Sequence, residues 1–177
     1  MSATPVPTEE ARRRLVTALV DLNPLLSELG GRFHAAGHRL ALVGGPVRDA
    51  LLGRQAPDLD FTTDARPDTT SRLLRRWADA HWEIGKDYGT IGARKGDVVV
   101  EVTTYRSESY DPASRKPEVT YGDTLEGDLG RRDFTVNAMA VELPALTFVD
   151  PFNGLTDLAA GRLRTPGTAQ DSFTDDP

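Results

Sequence analysis

The chain contains no cysteine among its 177 residues, which excludes disulfide bonds and metal sites built on thiolates. Lysine is scarce, with three against eighteen arginines, and the net charge of -6 argues against a module that holds nucleic acid by charge alone. No run approaches the roughly 20 apolar residues of a membrane span. The start, MSATPVPTEEARRR, lacks the apolar core of a secretory signal. We therefore expect a cytoplasmic protein with no membrane partner.

An apolar fraction of 38% and a charged fraction of 27% fit one globular domain with its own core. Leucines at helical spacing follow Thr8, and Pro24 predicts the first turn of a second helix that ends at Gly37. From residue 39 onwards, short strands and helices mix without regular alternation, which predicts an α+β fold with a mixed sheet. The polar segment 107–122 carries two prolines and predicts a mobile loop over the site.

A glycine pair follows the first predicted strand, in the stretch LVGGPVRDALLG. Gly44 and Gly45 would let backbone amides approach a phosphate group. Arg48, one helical turn further on, suits either a triphosphate or one of the nearby carboxylates. A tight strand-to-helix turn explains the glycines alone equally well, and the spacings of a dinucleotide fingerprint and of a P-loop are both absent.

Three acids lie on predicted strands. Asp58 and Asp60 are two residues apart, so they point to the same face of a strand while their apolar neighbours point to the other. Glu101 interrupts a run of valines, where an acid needs a partner. If the two strands are neighbours, the three carboxylates form the ligand set of a two-metal phosphoryl or nucleotidyl transfer site, for which Mg²⁺ is the fitting ion. An Asp-x-Asp pair alone is more typical of a solvated edge strand than of a catalytic site.

The stretch RRDFTVNAMA carries a third polar group. Asp133 and Asn137 are four residues apart and would share a face if helical, where they could hydrogen-bond a ribose hydroxyl. Arg131 and Arg132 add positive charge beside them. Alternatively, Asp133 caps a short helix that Asn137 ends.

Taken together, these stretches resemble the family of bacterial CCA-adding tRNA nucleotidyltransferases and poly(A) polymerases (class II). The resemblance covers roughly residues 38 to 177 and rests on these stretches, in order: LVGGPVRDALLG, PDLDFTT, VEVTTYR, GDLGRRDFTVNAMA, VDPFNGLTDL and SFTDDP. It implies a polymerase-β-like nucleotidyltransferase fold, with a small mixed sheet, helices packed on one side and N-terminal helices before it. It also implies transfer of CMP and AMP from CTP and ATP to the tRNA 3′ end, with Mg²⁺.

The resemblance assigns roles to individual residues. Asp58 and Asp60 match the metal-binding pair, and Glu101 matches the third catalytic acid. The nucleotide-binding positions are Gly44, Gly45, Arg48, Arg132, Asp133, Asn137 and Asp176.

We expect a disordered start over 1–7, a helical segment over 8–37, the nucleotidyltransferase head over 38–170 and the start of a neck over 171–177. In this family an arginine follows the acidic run and reads the incoming base together with the acid at the position of Asp176. The tRNA is expected to bind mainly through the neck, body and tail that follow the head in this family.

Other readings explain part of the pattern. A poly(A) polymerase, or an enzyme adding only CC or only A, fits the same motifs. A glycosyltransferase that holds a sugar nucleotide through Asp-x-Asp and Mg²⁺ explains the acid pair but not the glycines, Arg48 and the RRDFTVN stretch. A non-catalytic nucleotide-binding module is the third alternative.

Overall fold

The computed structural model describes residues 8–107 and 120–167. The described helices are α1 (Thr8–Ala35), α2 (Gly45–Leu51), α3 (Pro67–Arg75), α4 (Leu125–Gly130) and α5 (Gly154–Ala159). The described strands are β1 (Leu40–Val43), β2 (Asp58–Thr63), β3 (Ala80–Trp82), β4 (Thr90–Lys95), β5 (Val98–Thr104), β6 (Arg106–Ser107), β7 (Thr120–Tyr121), β8 (Ala140–Leu143) and β9 (Thr147–Val149). No helix in these ranges is long and apolar enough to cross a membrane.

Seven strands form one mixed sheet in the order β3-β4-β5-β2-β1-β8-β9. The central β2 and β5 run parallel, whereas the other neighbouring pairs are antiparallel. This arrangement confirms the predicted α+β fold with a mixed sheet. β2 lies between β5 and β1, so a site on β2 can draw on residues from both sides.

The two faces of the sheet carry different layers. The larger core cluster joins one face to the long helices, and it includes Leu42 and Phe61 from the sheet, Leu26 from α1 and Leu74 from α3. A smaller cluster on the other face includes Ala41 and packs against α4. Because side chains alternate along a strand, the smaller cluster shares its face with the even-numbered residues of β2.

The N-terminal segment is one continuous helix, so the prediction of two helices was wrong. Pro24 lies inside α1, which spans 28 residues. A proline within a helix costs about 3 kcal/mol. Leu26, Leu29 and Phe33 follow it and are fully buried, and each stabilises the fold by about 1.5–3 kcal/mol, so burial outweighs the break. The predicted end is confirmed: Gly37 adopts a left-handed φ of 79° just beyond the helix.

The predicted mobile loop over 107–122 is paired at both ends. β6 and β7 form a small antiparallel sheet in which Arg106 is paired with Tyr121 and Ser107 with Thr120. The middle of that loop lies outside the described residues, as do residues 1–7 and the acidic end that includes Asp176. After the loop the chain forms α4, a 3₁₀ turn at Thr135–Asn137 and then β8.

Candidate active site

The three predicted acids lie on one exposed face of two neighbouring strands. β2 and β5 are partners in a parallel register that places Asp60 opposite Glu101. Asp58 lies two residues before Asp60 on the same strand, and all three acids are exposed. The residues that alternate with them, such as Leu59 and Val100, are buried in the larger core. The strands are thus neighbours, as the three-acid hypothesis required.

The side chains of these acids do not form a ready-made metal cage. Within residues 8–107 and 120–167, no group of three or more His, Cys, Asp or Glu side chains is arranged to hold a metal ion. Like charges repel at this spacing, so three carboxylates converge only around a cation. The set of three metal-binding acids therefore stays a prediction, whereas their shared face is a property of the sheet.

The surroundings of Asp60 shift the pKa of its carboxyl group. Neighbouring protein removes water from its carboxylate although the residue is exposed towards the cleft, and this desolvation raises the pKa of Asp60. The positive charge of Arg132 opposes the rise, and the negative charge of Asp58 adds to it. Asp60 is therefore repelled by one carboxylate and attracted by one guanidinium, and a carboxyl group perturbed in this way is typical of functional sites.

The glycine pair makes room for two arginines. Gly44 follows β1 with a φ of 71° and a ψ of -134°, a conformation that side chains disfavour. A Cβ atom at Gly44 would lie 2.9 Å from Nη1 of Arg132, and one at Gly45 would lie 3.6 Å from Nη2 of Arg48. The backbone at the start of α2 is therefore lined by two guanidinium groups, where a phosphate would be well stabilised.

Arg48, Asn137 and Asp133 form a hydrogen-bonded chain beside the glycines. Arg48 Nη1 donates to Asn137 Oδ1 at 2.7 Å, and Asn137 Nδ2 donates to Asp133 Oδ1 at 3.1 Å. Asp133 lies just before a 3₁₀ turn and Asn137 is its last residue, so their contact arises from the turn and not from a shared α-helical face. Asp133 also accepts from the Phe134 amide at 2.8 Å. Phe134 occupies the N-cap of the turn and no side chain caps it, so the alternative in which Asp133 is the cap was wrong. Arg48 further pairs with Asp49 at 3.0 Å.

Asp128, a buried acid that was not predicted from the sequence, lies beside Arg132. Asp128 of α4 is only 1% exposed and accepts hydrogen bonds at 3.0 Å from both the Thr62 hydroxyl and the Arg106 amide. Arg132 Nη2 and Arg131 Nε lie 3.5 Å from its carboxylate. An acid three and four residues before two arginines on a helical stretch was the signal that could have identified it.

The structure thus brings together the predicted site residues that it describes. Gly44, next to Arg132, connects the acids of β2 with the group around Arg48. A pocket of about 440 Å³ opens beside Arg48 and Asn137 and has apolar side chains such as Leu158 in its wall. Asp176 lies outside the described residues, so its role in reading the base stays a prediction.

The mixed sheet, with an Asp-x-Asp strand beside an acid-bearing strand and a glycine turn, has the arrangement of the polymerase-β-like nucleotidyltransferase fold. Residues 40–164 match the family described as the poly A polymerase head domain. The chain belongs to that family, which confirms the family resemblance found in the sequence.

Curated relatives carry a common name. The chain is 42% identical over 142 residues to the CCA-adding enzyme of Bacillus subtilis (strain 168), covering 80% of this chain and 34% of that protein. It is 40% identical over 146 residues to the CCA-adding enzyme of Streptococcus suis (strain 05ZYH33), covering 82% of this chain and 35% of that protein. The chain therefore spans about a third of the length of these relatives.

Solved structures agree with this result. The CCA-adding enzyme of Bacillus stearothermophilus in complex with CTP superimposes with a TM-score of 0.73 at 30% identity, over 90% of this chain and 36% of that one. A CCA-adding enzyme in complex with ATP gives a TM-score of 0.72 at 29% identity, over 91% of this chain and 37% of that one. These similarities confirm the predicted fold.

Proposed function

We propose that this chain is the catalytic head of an enzyme that adds CMP and AMP, from CTP and ATP, to tRNA 3′ ends. The observation that carries the proposal is the register of β2 and β5, which aligns Asp60 with Glu101 and keeps Asp58 on the same face. Relatives named as CCA-adding enzymes support the choice of nucleotides and of tRNA. In this proposal tRNA is held mainly by parts of the enzyme outside the head.

Asp58 and Asp60 fit a divalent metal by their chemistry. They are exposed carboxylates with hard oxygen donors on one face of a strand, which is the ligand type that Mg²⁺ prefers. When bound in a two-metal arrangement, Mg²⁺ neutralises charge on the phosphates and favours the deprotonated 3′ hydroxyl of the acceptor. Glu101, the third acid, lies opposite Asp60 on β5, the side to which the acceptor 3′ end is assigned in this proposal.

The remaining residues of the chain bind and orient the donor nucleotide. Gly44 and Gly45 leave the backbone open to the phosphates, and Arg132 stabilises their charge beside Asp60. Asp133 and Asn137, held by Arg48, bind the ribose hydroxyls. The nucleoside occupies the adjoining pocket of about 440 Å³. The acceptor 3′ oxygen then bonds to the α-phosphorus, pyrophosphate leaves, and the hydroxyl proton passes to solvent.

The domain boundaries form part of the same proposal. The proposed head comprises residues 38–170, whereas the expected start over 1–7 and the expected neck over 171–177 lie outside the described residues. The helical segment 8–37 is built into the head, because α1 contributes buried leucines to the same core cluster as the sheet.

Single-turnover transfer of radiolabelled CTP and ATP to tRNA that ends at the discriminator base tests the proposal. The chain is used in molar excess over tRNA, with Mg²⁺, because the head alone is expected to be poorly active. Asp58→Asn and Asp60→Asn should each lower transfer by at least about 100-fold, since losing a metal ligand removes several kcal/mol of transition-state stabilisation. Product length and sequence separate CCA addition from CC, A or poly(A) addition.

Asp97→Asn is the matched control, because Asp97 is an exposed acid beyond the end of β4, and transfer should stay unchanged. Circular dichroism verifies that each variant is folded. Transfer by Asp58→Asn at the wild-type rate contradicts the metal role. Binding of Mg²⁺–CTP and Mg²⁺–ATP without any transfer identifies a non-catalytic nucleotide-binding module instead.

A further inference from the structure

A second group of arginines lies on the β5 side of the acids. Arg106, Arg131 and Arg132 line a pocket of about 320 Å³ together with Thr103, Asp128 and Asp133. We call this group the arginine pocket. It is open to solvent and polar, and the reaction described above uses Arg132 and Asp133 from its lining but neither Arg106 nor Arg131.

Among the residues that line the arginine pocket, positive groups outnumber negative ones. Three guanidinium groups meet the carboxylates of Asp128 and Asp133. Asp133 is already bonded to Asn137 and to the Phe134 amide. The ion pairs from Asp128 to Arg131 and Arg132 are 3.5 Å long, longer than ordinary hydrogen bonds.

The arginines retain unused hydrogen-bonding capacity. The Nε atoms of Arg106, Arg131 and Arg132 are buried and have no hydrogen-bond partner within the described ranges. Arg106 donates through Nη2 to the Tyr88 carbonyl. Its pKa is lowered by desolvation and by the nearby charge of Arg131, consistent with cations crowded together. An anion in the pocket would relieve this repulsion and accept paired hydrogen bonds from the planar guanidinium groups.

The strand that carries Asp58 and Asp60 lies between the strand that borders the arginine pocket and the strand that leads to the glycine pair. Thr103 is paired with Thr62, one step along the same face from the Asp60–Glu101 pair. In the sheet β5 and β1 flank β2 on opposite sides, and Gly44 follows β1. A phosphate in the arginine pocket would therefore bind on the β5 side of β2, next to the donor phosphates on the β1 side, with Arg132 between the two.

We propose that the arginine pocket binds a backbone phosphate of the RNA strand whose 3′ end is extended. The inference rests on the proposed function, in which the donor phosphates occupy the side of Gly44 and Arg48. Nucleotidyl transfer brings two phosphate-bearing substrates to one set of acids. Guanidinium groups lie on the β5 side and on the β1 side of the strand that carries Asp58 and Asp60. The pocket is open, so a strand can enter and leave it.

Fluorescence anisotropy with a labelled single-stranded RNA of eight nucleotides tests the inference, using the 177-residue chain over a range of salt concentrations. Arg106→Gln and Arg131→Gln should each weaken RNA binding about 3- to 10-fold at low salt. Each should also reduce the slope of log K against log salt by about 0.7, the value for one phosphate contact on a single strand. Binding of Mg²⁺–ATP, measured by calorimetry, should change less than twofold.

Arg76→Gln is the charge-matched control. Arg76 is exposed and follows α3, which packs through Leu74 into the core on the opposite face of the sheet. It should change RNA affinity less than twofold. Arg131→Lys keeps the charge but loses paired hydrogen bonding, so it should bind RNA with intermediate affinity. Thermal unfolding of each variant separates loss of binding from loss of fold.

RNA affinity that is unchanged in both glutamine variants overturns the inference, as does a wild-type chain that binds no RNA at low salt. An equal loss of Mg²⁺–ATP affinity also overturns it, because the pocket would then hold nucleotide phosphates. The arginine variants could weaken RNA binding as expected in a chain that neither binds nor transfers nucleotide. That outcome refutes the proposed function but supports the phosphate site.

Discussion

Replacing Gly44 with alanine tests whether the glycine turn and Arg132 form one unit. Gly44 has a φ of 71° and a ψ of -134°, a combination that costs a residue with a Cβ about 1–3 kcal/mol. The new Cβ would also lie 2.9 Å from Arg132 Nη1. That atom ends a flexible side chain, so Arg132 moves while the backbone strain remains. For a chain of this size, the melting temperature should fall by about 2–12 °C.

Displacing Arg132 should also weaken nucleotide binding. A charge-assisted hydrogen bond contributes about 1.5–3 kcal/mol, so its loss corresponds to roughly a 10- to 100-fold weaker affinity for Mg²⁺–ATP. Calorimetry below the melting temperature of both proteins measures the affinity, and circular dichroism on heating measures the stability. Both changes are expected in the same variant.

Two other glycines provide controls for this variant. Gly96 has a φ of 58° with open space around its Cβ position, so Gly96→Ala should be destabilised by a similar strain but should bind Mg²⁺–ATP normally. Gly45→Ala places its Cβ 3.6 Å from Arg48, an ordinary contact, and should fold with nearly unchanged stability. A Gly44→Ala protein with wild-type stability and wild-type Mg²⁺–ATP affinity would refute the coupling of this turn to Arg132.

Three further outcomes are expected. Desolvation and the charge of Asp58 raise the pKa of Asp60, although the charge of Arg132 opposes the rise. Above the raised pKa, the ionised carboxylate of Asp60 therefore destabilises the folded state. The Asp60→Asn protein should therefore have a slightly higher melting temperature than wild type at pH 7. This difference in melting temperature should disappear below the ordinary pKa range of aspartate. A lower melting temperature of the variant at pH 7 contradicts the prediction. Arg48→Lys loses the paired geometry that holds Asn137, so Mg²⁺–ATP should bind about 10-fold more weakly, and unchanged affinity would remove Arg48 from the site. The chain should bind CTP, ATP, GTP and UTP within a few-fold of one another, because the described contacts involve groups that all four share; a marked preference for CTP and ATP in calorimetry would place base selection within the head.

The acids could be predicted from the sequence because strand geometry fixes which side chains share a face. The period of two aligned Asp58 with Asp60, and the structure adds only that β2 and β5 are neighbours. The same local rules predicted the strands, the mixed sheet and the helix end at Gly37. They failed at Pro24, where the breaking tendency of proline is local but the burial that overrides it depends on the whole core.

Contacts between the turns could not be predicted in the same way. Arg48 and Asn137 are 89 residues apart in the sequence, and no periodicity connects them. Asp128 was missed because its burial depends on how α4 packs over β2, where it meets the Thr62 hydroxyl. The resemblance named Arg48, Arg132 and Asn137 as separate contacts, whereas the structure joins them through side-chain hydrogen bonds and close approaches.

Arg132 lies where these groups meet, and this position determines which substitutions are informative. Its Nη1 lies beside Gly44, its Nη2 faces Asp128 and its charge acts on Asp60. Substituting Arg132 would disturb the glycine turn, the buried acid and the carboxylate pair at once. A loss of binding in that variant could therefore not be assigned to one substrate. Arg48 lies on the nucleotide side, where it bonds to Asn137, and Arg106 lines the arginine pocket. Substituting these two outer arginines in parallel separates donor binding from acceptor binding, because each should weaken one ligand and spare the other.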